Sequence, residues 1–87
     1  MKHASSAALD RIEPTLAVLR TLPGLKEKAR GCFYQHSRAV LHFHEHGEEL
    51  YADVRLHEEF ERVPATTKAQ CRELVRRVWG HLAPHRP

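Results

Sequence analysis

Residues 39–56 read AVLHFHEHGEELYADVRL, and the alternation of side chains in this stretch predicts the centre of the fold. Apolar residues stand at 39, 41 and 43 and again at 52, 54 and 56, with polar residues between them. The polar residues at the alternating positions are His42, His44, Tyr51, Asp53 and Arg55. A period of two is typical of half-buried strands, and the glycine-containing segment 46–49 between the two runs predicts an antiparallel β-hairpin.

The apolar side of the hairpin restricts how its two strands can pair, because the apolar residues of both strands must lie on one face. A four-residue loop sets His42 opposite Asp53 and His44 opposite Tyr51. A two-residue His-Gly loop sets His42 opposite Tyr51 and His44 opposite Glu49. Both registers place His42 and Asp53 next to each other on the polar face.

The N-terminal segment carries a helical pattern. Its apolar residues recur at spacings of three and four, and they are Leu9, Ile12, Leu16 and Leu19. Pro14 interrupts the pattern, so either one helix kinks there, or a first helix ends near Glu13 and a second begins with Pro14 at its first position. Pro23-Gly24 then predicts a turn that ends the helical region.

The segments on either side of the hairpin are expected to add one or two strands. Residues 25–31 read as a connector, whereas residues 32–35, CFYQ, are predicted to form a short strand because of their aromatic pair. After the hairpin, residues 57–64 are ambiguous, and residues 60–63 are the candidate for a short edge strand before a proline.

The C-terminal segment predicts another helix. Thr67 and Gln70 have the spacing of a capping box. An apolar stripe follows at helical spacing and consists of Cys71, Leu74, Val75, Val78 and Leu82. The other side of the helix is basic and carries Lys68, Arg72, Arg76 and Arg77.

This order of elements predicts an α+β fold. We expect two layers, in which an antiparallel sheet of three or four strands carries an N-terminal and a C-terminal helix on one face. That arrangement buries both helical stripes together with the apolar side of the hairpin. The 87 residues suffice for a single domain, 1–87, in which residues 1–4 and 84–87 are expected to be frayed tails.

Composition restricts the class of protein. Hydrophobic residues make up 41% and charged residues 29% of the chain, which is typical of a globular rather than a disordered protein. No apolar run is long enough to span a bilayer and the N-terminus lacks an apolar secretion signal, so no membrane association is expected. Cys32 and Cys71 do not form a disulfide framework, and we expect free thiols and a cytoplasmic location.

The polar face of the hairpin is the candidate site. The candidate ligand-binding residues are His42, His44, Asp53, Arg55 and Tyr51. A carboxylate beside an imidazole, together with a guanidinium, can hold polar or anionic groups, which predicts a small polar ligand or a protein partner. The alternative is an enzyme that uses His42 and Asp53 as an acid–base pair, and a binding domain is favoured over it.

Two further patterns are weaker. His42-x-His44 on a strand could direct both imidazoles to one metal ion, but the pattern is short and recurs by chance in a chain with 8 histidines, so neither a metal nor a cofactor is assigned. The basic helix face could contact phosphates, but no nucleic-acid-binding motif accompanies it, and nucleic acid is not expected as a partner. An exposed sheet edge also allows a homodimer.

Short motifs resemble two families. The connector LPGL at 22–25 and the strands VLHFH at 40–44 and ADVRL at 52–56 resemble the luciferase-domain family of small bacterial proteins, over residues 16–80. The connector, hairpin and terminal helix are also similar to MmcQ/YjbR-like proteins, a small α+β group with a suspected link to DNA. Both resemblances imply the α+β fold, and neither implies a reaction. The chain is shorter than typical members of either family, so one of their strands or helices is expected to be missing.

Overall fold

The predicted hairpin lies at the centre of a larger sheet than expected. The computed structural model describes residues 2–82, which form an α+β fold with six antiparallel strands and three helices, so the expected three or four strands are too few. The strands are β1 (Lys2–His3), β2 (Leu25–Ala29), β3 (Cys32–Gln35), β4 (Arg38–His46), β5 (Glu49–Val54) and β6 (Glu61–Pro64). The helices are α1 (Ser6–Arg11), α2 (Glu13–Arg20) and α3 (Lys68–Leu82). The sheet order is β2-β3-β4-β5-β6. β1 lies on the same side of β4 as β3 but further along the strand, because it pairs with His44 and Glu45 whereas the pairing with β3 ends at His42.

β4 and β5 pair in the first of the two predicted registers. His42 lies opposite Asp53, and His44 lies opposite Tyr51. The pairing continues to the last residue of β4, so the turn contains two residues rather than four. Gly47 in this turn has a φ of +63°, a left-handed conformation that glycine adopts without strain. The tight turn and the long ladder hold the polar residues of the hairpin in one register.

Pro14 separates two helices instead of kinking one. The first helix, α1, begins after Ser5, whose Oγ accepts a hydrogen bond from the Ala8 amide at 3.2 Å. Ile12 joins α1 to α2, and Pro14 stands in the first turn of α2, one residue later than expected. A proline is tolerated there because the amide that it lacks would have no partner within the helix.

Two strands lie in segments that the sequence pattern does not mark. Residues 25–31, expected as a connector, contain β2, which pairs with β3 at one edge of the sheet. The three central residues of β2 are Lys-Glu-Lys, so the strand lacks the apolar alternation of a half-buried strand. An edge strand can carry such charged side chains, and they discourage pairing with another chain. Within the segment 1–4, expected as a frayed tail, β1 pairs with β4 and the next residue, Ala4, is buried. The other expected tail, 84–87, lies outside the described residues.

β6 and α3 follow their predictions closely. The edge strand expected at 60–63 is shifted by one residue and ends at Pro64. The predicted capping box is present: the Thr67 amide donates to Gln70 Oε1 at 3.0 Å, and the Gln70 amide donates to Thr67 Oγ1 at 3.1 Å. Among residues 2–82, neither α3 nor another helix combines the length and apolar character needed to cross a membrane.

One hydrophobic core joins the apolar side of the sheet to all three helices. The largest fully buried side chains are Phe33, Phe43, Leu16, Leu19, Leu41, Leu50, Leu74, Val54 and Val78. Burial of one such side chain contributes about 1.5–3 kcal/mol. Successive strand residues face opposite sides, so burial of Leu41 and Phe43 directs His42 and His44 to the outer face of the sheet.

Candidate functional site

Strand register brings polar side chains together in the middle of the outer face. One row across the strands runs through Cys32, His42, Asp53 and Arg62. The adjacent row runs through His3, His44, Tyr51 and Pro64. Residues opposite each other on neighbouring strands share a face, so side chains from the two rows can meet. Five of the six strands therefore contribute to this part of the surface.

Three of these side chains converge, and we call them the His–Asp cluster: His42, His44 and Asp53. The Nε2 atom of His44 lies 2.9 Å from Asp53 Oδ2 and 3.0 Å from His42 Nδ1. The Nδ1 atom of His42 lies 4.0 Å from the same carboxylate oxygen. The exposed fraction of the side chain is 28% for His42, 17% for His44 and 12% for Asp53. The cluster is thus largely, though not fully, withdrawn from solvent.

Arg62 holds the carboxylate of the cluster in place. Its Nε and Nη2 donate to Asp53 Oδ1 and Oδ2 at 2.8 and 3.0 Å, in a bidentate pair. These hydrogen bonds lower the pKa of Asp53 below its usual value, although burial acts in the opposite direction. Asp53 is therefore ionised at neutral pH, and its oxygens keep lone pairs beyond those that Arg62 uses.

His42 is uncharged at the same pH. Burial lowers the pKa of His42, and the negative charge of Asp53 offsets only part of that effect. The ring of Phe60 packs beside the imidazole, with ring centroids 5.1 Å apart, and helps to bury it. A neutral imidazole has one N–H and one bare nitrogen, which can accept a hydrogen bond or bind a metal ion.

The two short contacts of His44 exceed what one nitrogen-bound proton can satisfy. If Nε2 of His44 carries the proton, that proton cannot point fully to both Asp53 and His42. If Nε2 is bare, its lone pair faces the Asp53 carboxylate at 2.9 Å. The other nitrogen, Nδ1, is buried and has no hydrogen-bond partner among residues 2–82. In either tautomer, His44 therefore has at least one ring nitrogen whose hydrogen-bonding capacity is not fully met.

The structure brings together three of the five residues predicted for the site. The guanidinium of Arg55 donates to the Ala39 carbonyl at 3.0 and 2.8 Å and stacks on Phe60, 4.6 Å from the ring centroid. The hydroxyl of Tyr51 donates to Glu49 Oε1 at 2.8 Å. These contacts engage the polar groups of Arg55 and Tyr51 outside the His–Asp cluster.

Three residues beside the cluster escaped the sequence analysis. Arg62 lies in the segment after the hairpin, and only the pairing of β6 with β5 places it opposite Asp53. His3 lies opposite His44, and its Nε2 is 3.6 Å from the sulfur of Cys32. The predicted edge strand was a usable signal for Arg62. No sequence pattern marks His3, because its strand is two residues long.

Two cavities lie elsewhere on the molecule. The first is a groove of about 510 Å³ between α2 and α3, lined in part by Val18, Val75 and Arg72. The second, of about 360 Å³, lies between β6 and α3. Both have volumes in the range of small-molecule sites. Neither is lined by a residue of the His–Asp cluster.

The basic face of α3 is partly neutralised within the chain. Arg76 donates to Glu73 at 2.9 Å, and Arg77 forms an ion pair with Glu61 at 2.6 Å. These pairs reduce the positive charge that the helix offers to an anionic partner.

Comparison with known proteins identifies no relative. No protein-family model, no curated protein and no solved structure matches the chain. The resemblances to the luciferase-domain family and to MmcQ/YjbR-like proteins stay predictions.

Proposed function

We propose that this chain is a small binding domain that holds a small polar ligand at the His–Asp cluster, on the outer face of its sheet. One observation carries the proposal: His42 Nδ1, His44 Nε2 and Asp53 Oδ2 lie within 4.0 Å of one another. Three atoms that can each present a lone pair converge, and the bidentate contact from Arg62 holds the carboxylate there.

The burial of the cluster supports binding over an ordinary set of cross-strand pairs. Such pairs contribute roughly 0.2–1 kcal/mol each and involve two partners. Here three groups crowd together while partly buried, and one proton on His44 Nε2 cannot point fully to both of its neighbours. A bound ligand that supplies positive charge where the three atoms converge would stabilise this arrangement.

The second candidate function is an acid–base enzyme, and the structure favours a different histidine from the one expected from the sequence. The expected pair of His42 and Asp53 is 4.0 Å apart, beyond hydrogen-bond distance, whereas His44 lies 2.9 Å from the same carboxylate. An acid–base function would therefore fall to His44. The binding domain remains the better-supported proposal because neither of the two cavities described above is lined by a residue of the His–Asp cluster.

Titration with three probes tests the proposed function. We would add inorganic phosphate, succinate or zinc chloride to the full chain and record NMR signals of the backbone amides and histidine rings. At least one probe is expected to shift the signals of His42, His44 and Asp53 saturably. Signals of Val18 and Val75, in the groove between α2 and α3, are the internal reference and should stay unchanged. The proposal is wrong if no probe shifts the signals of the cluster.

A further inference from the structure

The size of the site narrows the chemistry of its ligand. Small organic molecules occupy cavities of about 300–1,000 Å³. Two cavities of that size lie next to α3, and neither is lined by a residue of the His–Asp cluster. At the cluster, the three converging atoms are separated by 2.9, 3.0 and 4.0 Å, so the space between them fits a single atom.

The separations suit the coordination shell of a metal ion. Bonds from zinc to imidazole nitrogen or carboxylate oxygen are about 2.0–2.2 Å long, so ligand atoms at tetrahedral angles lie about 3.3–3.6 Å apart. The three observed separations of 2.9, 3.0 and 4.0 Å scatter on both sides of that range. A point about 2.0 Å from all three atoms, the length of a zinc bond, lies within their triangle, with His42 Nδ1 and Asp53 Oδ2 on nearly opposite sides of it. Tetrahedral coordination therefore requires small rotations of the side chains that bring these two atoms closer together and move the other pairs apart.

The donor types restrict which ion the site prefers. Magnesium and calcium take mostly oxygen ligands, whereas imidazole nitrogen favours zinc and its neighbours in the first transition row. Two imidazoles and one carboxylate leave at least one coordination position for water or another ligand.

We infer that the ligand is one divalent ion of the first transition row, with zinc as the type, bound by His42 Nδ1, His44 Nε2 and Asp53 Oδ2. The inference rests on the proposed function, because it names the ligand of the same site. Arg62 is then a positioning residue, which orients the Asp53 carboxylate and does not bind the ion. Metal ligands are commonly held by such outer partners.

Calorimetric titration of the chelator-treated full chain with zinc chloride tests the inference. We expect one saturable site per chain. Loss of a residue that only orients a metal ligand lowers metal affinity by about 10–100-fold. The variants H42A and H44A each remove a ligand itself, so each should lower zinc affinity by more than that. The matched control is H46A, which removes a histidine from the same strand and the same face but outside the cluster. It should leave the affinity unchanged.

Two measurements keep the test meaningful if a variant folds poorly. Circular dichroism without zinc reports whether H42A and H44A are folded, and D53N supplies a third ligand variant. Cobalt(II) needs no variant at all, because its visible absorption becomes stronger when coordination falls from six ligands to four or five. We expect that stronger absorption from the unmodified chain, and zinc should remove it by competition.

The outcomes separate this inference from the proposed function. Zinc binding that H42A and H44A leave unchanged, or that H46A weakens equally, would indicate loose binding to surface histidines and would overturn the inference. Saturable binding of phosphate or succinate at the cluster, with no zinc binding, would overturn the inference and keep the proposed function. No binding of any of the three probes would overturn both.

Discussion

Two charged regions of this molecule differ in whether their hydrogen-bond donors match their acceptors. One is the His–Asp cluster. The other, which we call the α2 network, joins both N-terminal helices to β2 and the turn after it, and consists of Asp10, Glu13, Arg20, Glu27 and Arg30. Both regions combine carboxylates with nitrogen-bearing side chains at distances below 3.1 Å.

In the α2 network, every close contact joins a proton donor to an acceptor. Arg20 donates to Glu13 at 2.6 Å and to Glu27 at 2.5 Å. Arg30 donates to Glu13 at 2.7 Å and forms an ion pair with Asp10 at 2.9 Å. The guanidinium groups have enough protons for all of these oxygens. The network therefore needs no ligand, and its role is to join α1 and α2 to β2.

In the His–Asp cluster, the contacts between lone-pair-bearing atoms outnumber the available protons. His44 Nε2 faces His42 Nδ1 and Asp53 Oδ2 at nearly equal distances, and one proton cannot serve both. The two regions also differ in burial, because most side chains of the α2 network are more exposed than those of the His–Asp cluster. The balance of donors and acceptors is the difference on which the proposed binding site depends.

The largest expected effect is stabilisation of the chain by zinc. At a free zinc concentration of 100 times the dissociation constant, the free energy of unfolding should rise by about 2.7 kcal/mol. Urea unfolding of H44A should show no such gain, because the variant lacks a ligand. R20Q, which alters the α2 network instead, should gain as much as the unmodified chain. Equal stabilisation of H44A would remove the distinction between the two regions.

The next effect concerns Arg62, which contacts the cluster without belonging to it. In R62Q the carboxylate of Asp53 loses its bidentate partner, so zinc affinity should fall about 10-fold. Calorimetry measures the change, and R20Q is again the control because it removes a guanidinium from the other region. An unchanged affinity in R62Q would mean that Arg62 does not position the carboxylate.

Acid should weaken the α2 network in a defined range. Hydrogen bonds from Arg20 and Arg30 lower the pKa of Glu13 from 4.5 to about 2. Because the folded state favours the ionised form, the contribution of Glu13 to stability is present above pH 4.5 and is lost as the pH falls toward about 2. The urea midpoint should therefore fall more steeply in the unmodified chain than in E13Q over this range. Equal slopes would show that Glu13 does not contribute.

The smallest expected effect is that of salt on the α2 network. The screening length falls from about 30 Å at 0.01 M salt to about 3 Å at 1 M, and partly exposed ion pairs weaken accordingly. The difference in melting temperature between the unmodified chain and R20Q should shrink as sodium chloride is raised. A difference that does not depend on salt would point to packing of the Arg20 stem instead of its charge.

The hairpin shows how far sequence reasoning reaches. Alternation alone predicted that His42 and Asp53 share a face as neighbours, and the pairing of β4 with β5 confirms it. Of the two imidazoles, the one closer to the carboxylate is nevertheless that of His44, which lies diagonally across the strands. Diagonal contacts depend on sheet twist and side-chain conformation, which the period of two does not specify.

The edges of the sheet mark the limit of that reasoning. β2 has no apolar alternation because its central residues are charged, and β1 is too short to show a pattern. Such strands form because a neighbouring strand offers unpaired backbone groups. The neighbouring strand comes from a different part of the sequence, so the local residue pattern does not show that the strand will form.

Local patterns in the chain determined the hairpin, its polar face and the capping box of α3. They also reduced the conformation at Pro14 to two alternatives, a kinked helix or two helices. Each depends on residues close together in sequence, through side-chain periodicity or nearby backbone hydrogen bonds. Only the tertiary structure placed Arg62 on Asp53, His3 beside His44, and three lone-pair-bearing atoms within 4.0 Å of one another. Those placements require four strands, β1, β4, β5 and β6, to pair in register, and the pairing depends on packing of the whole core.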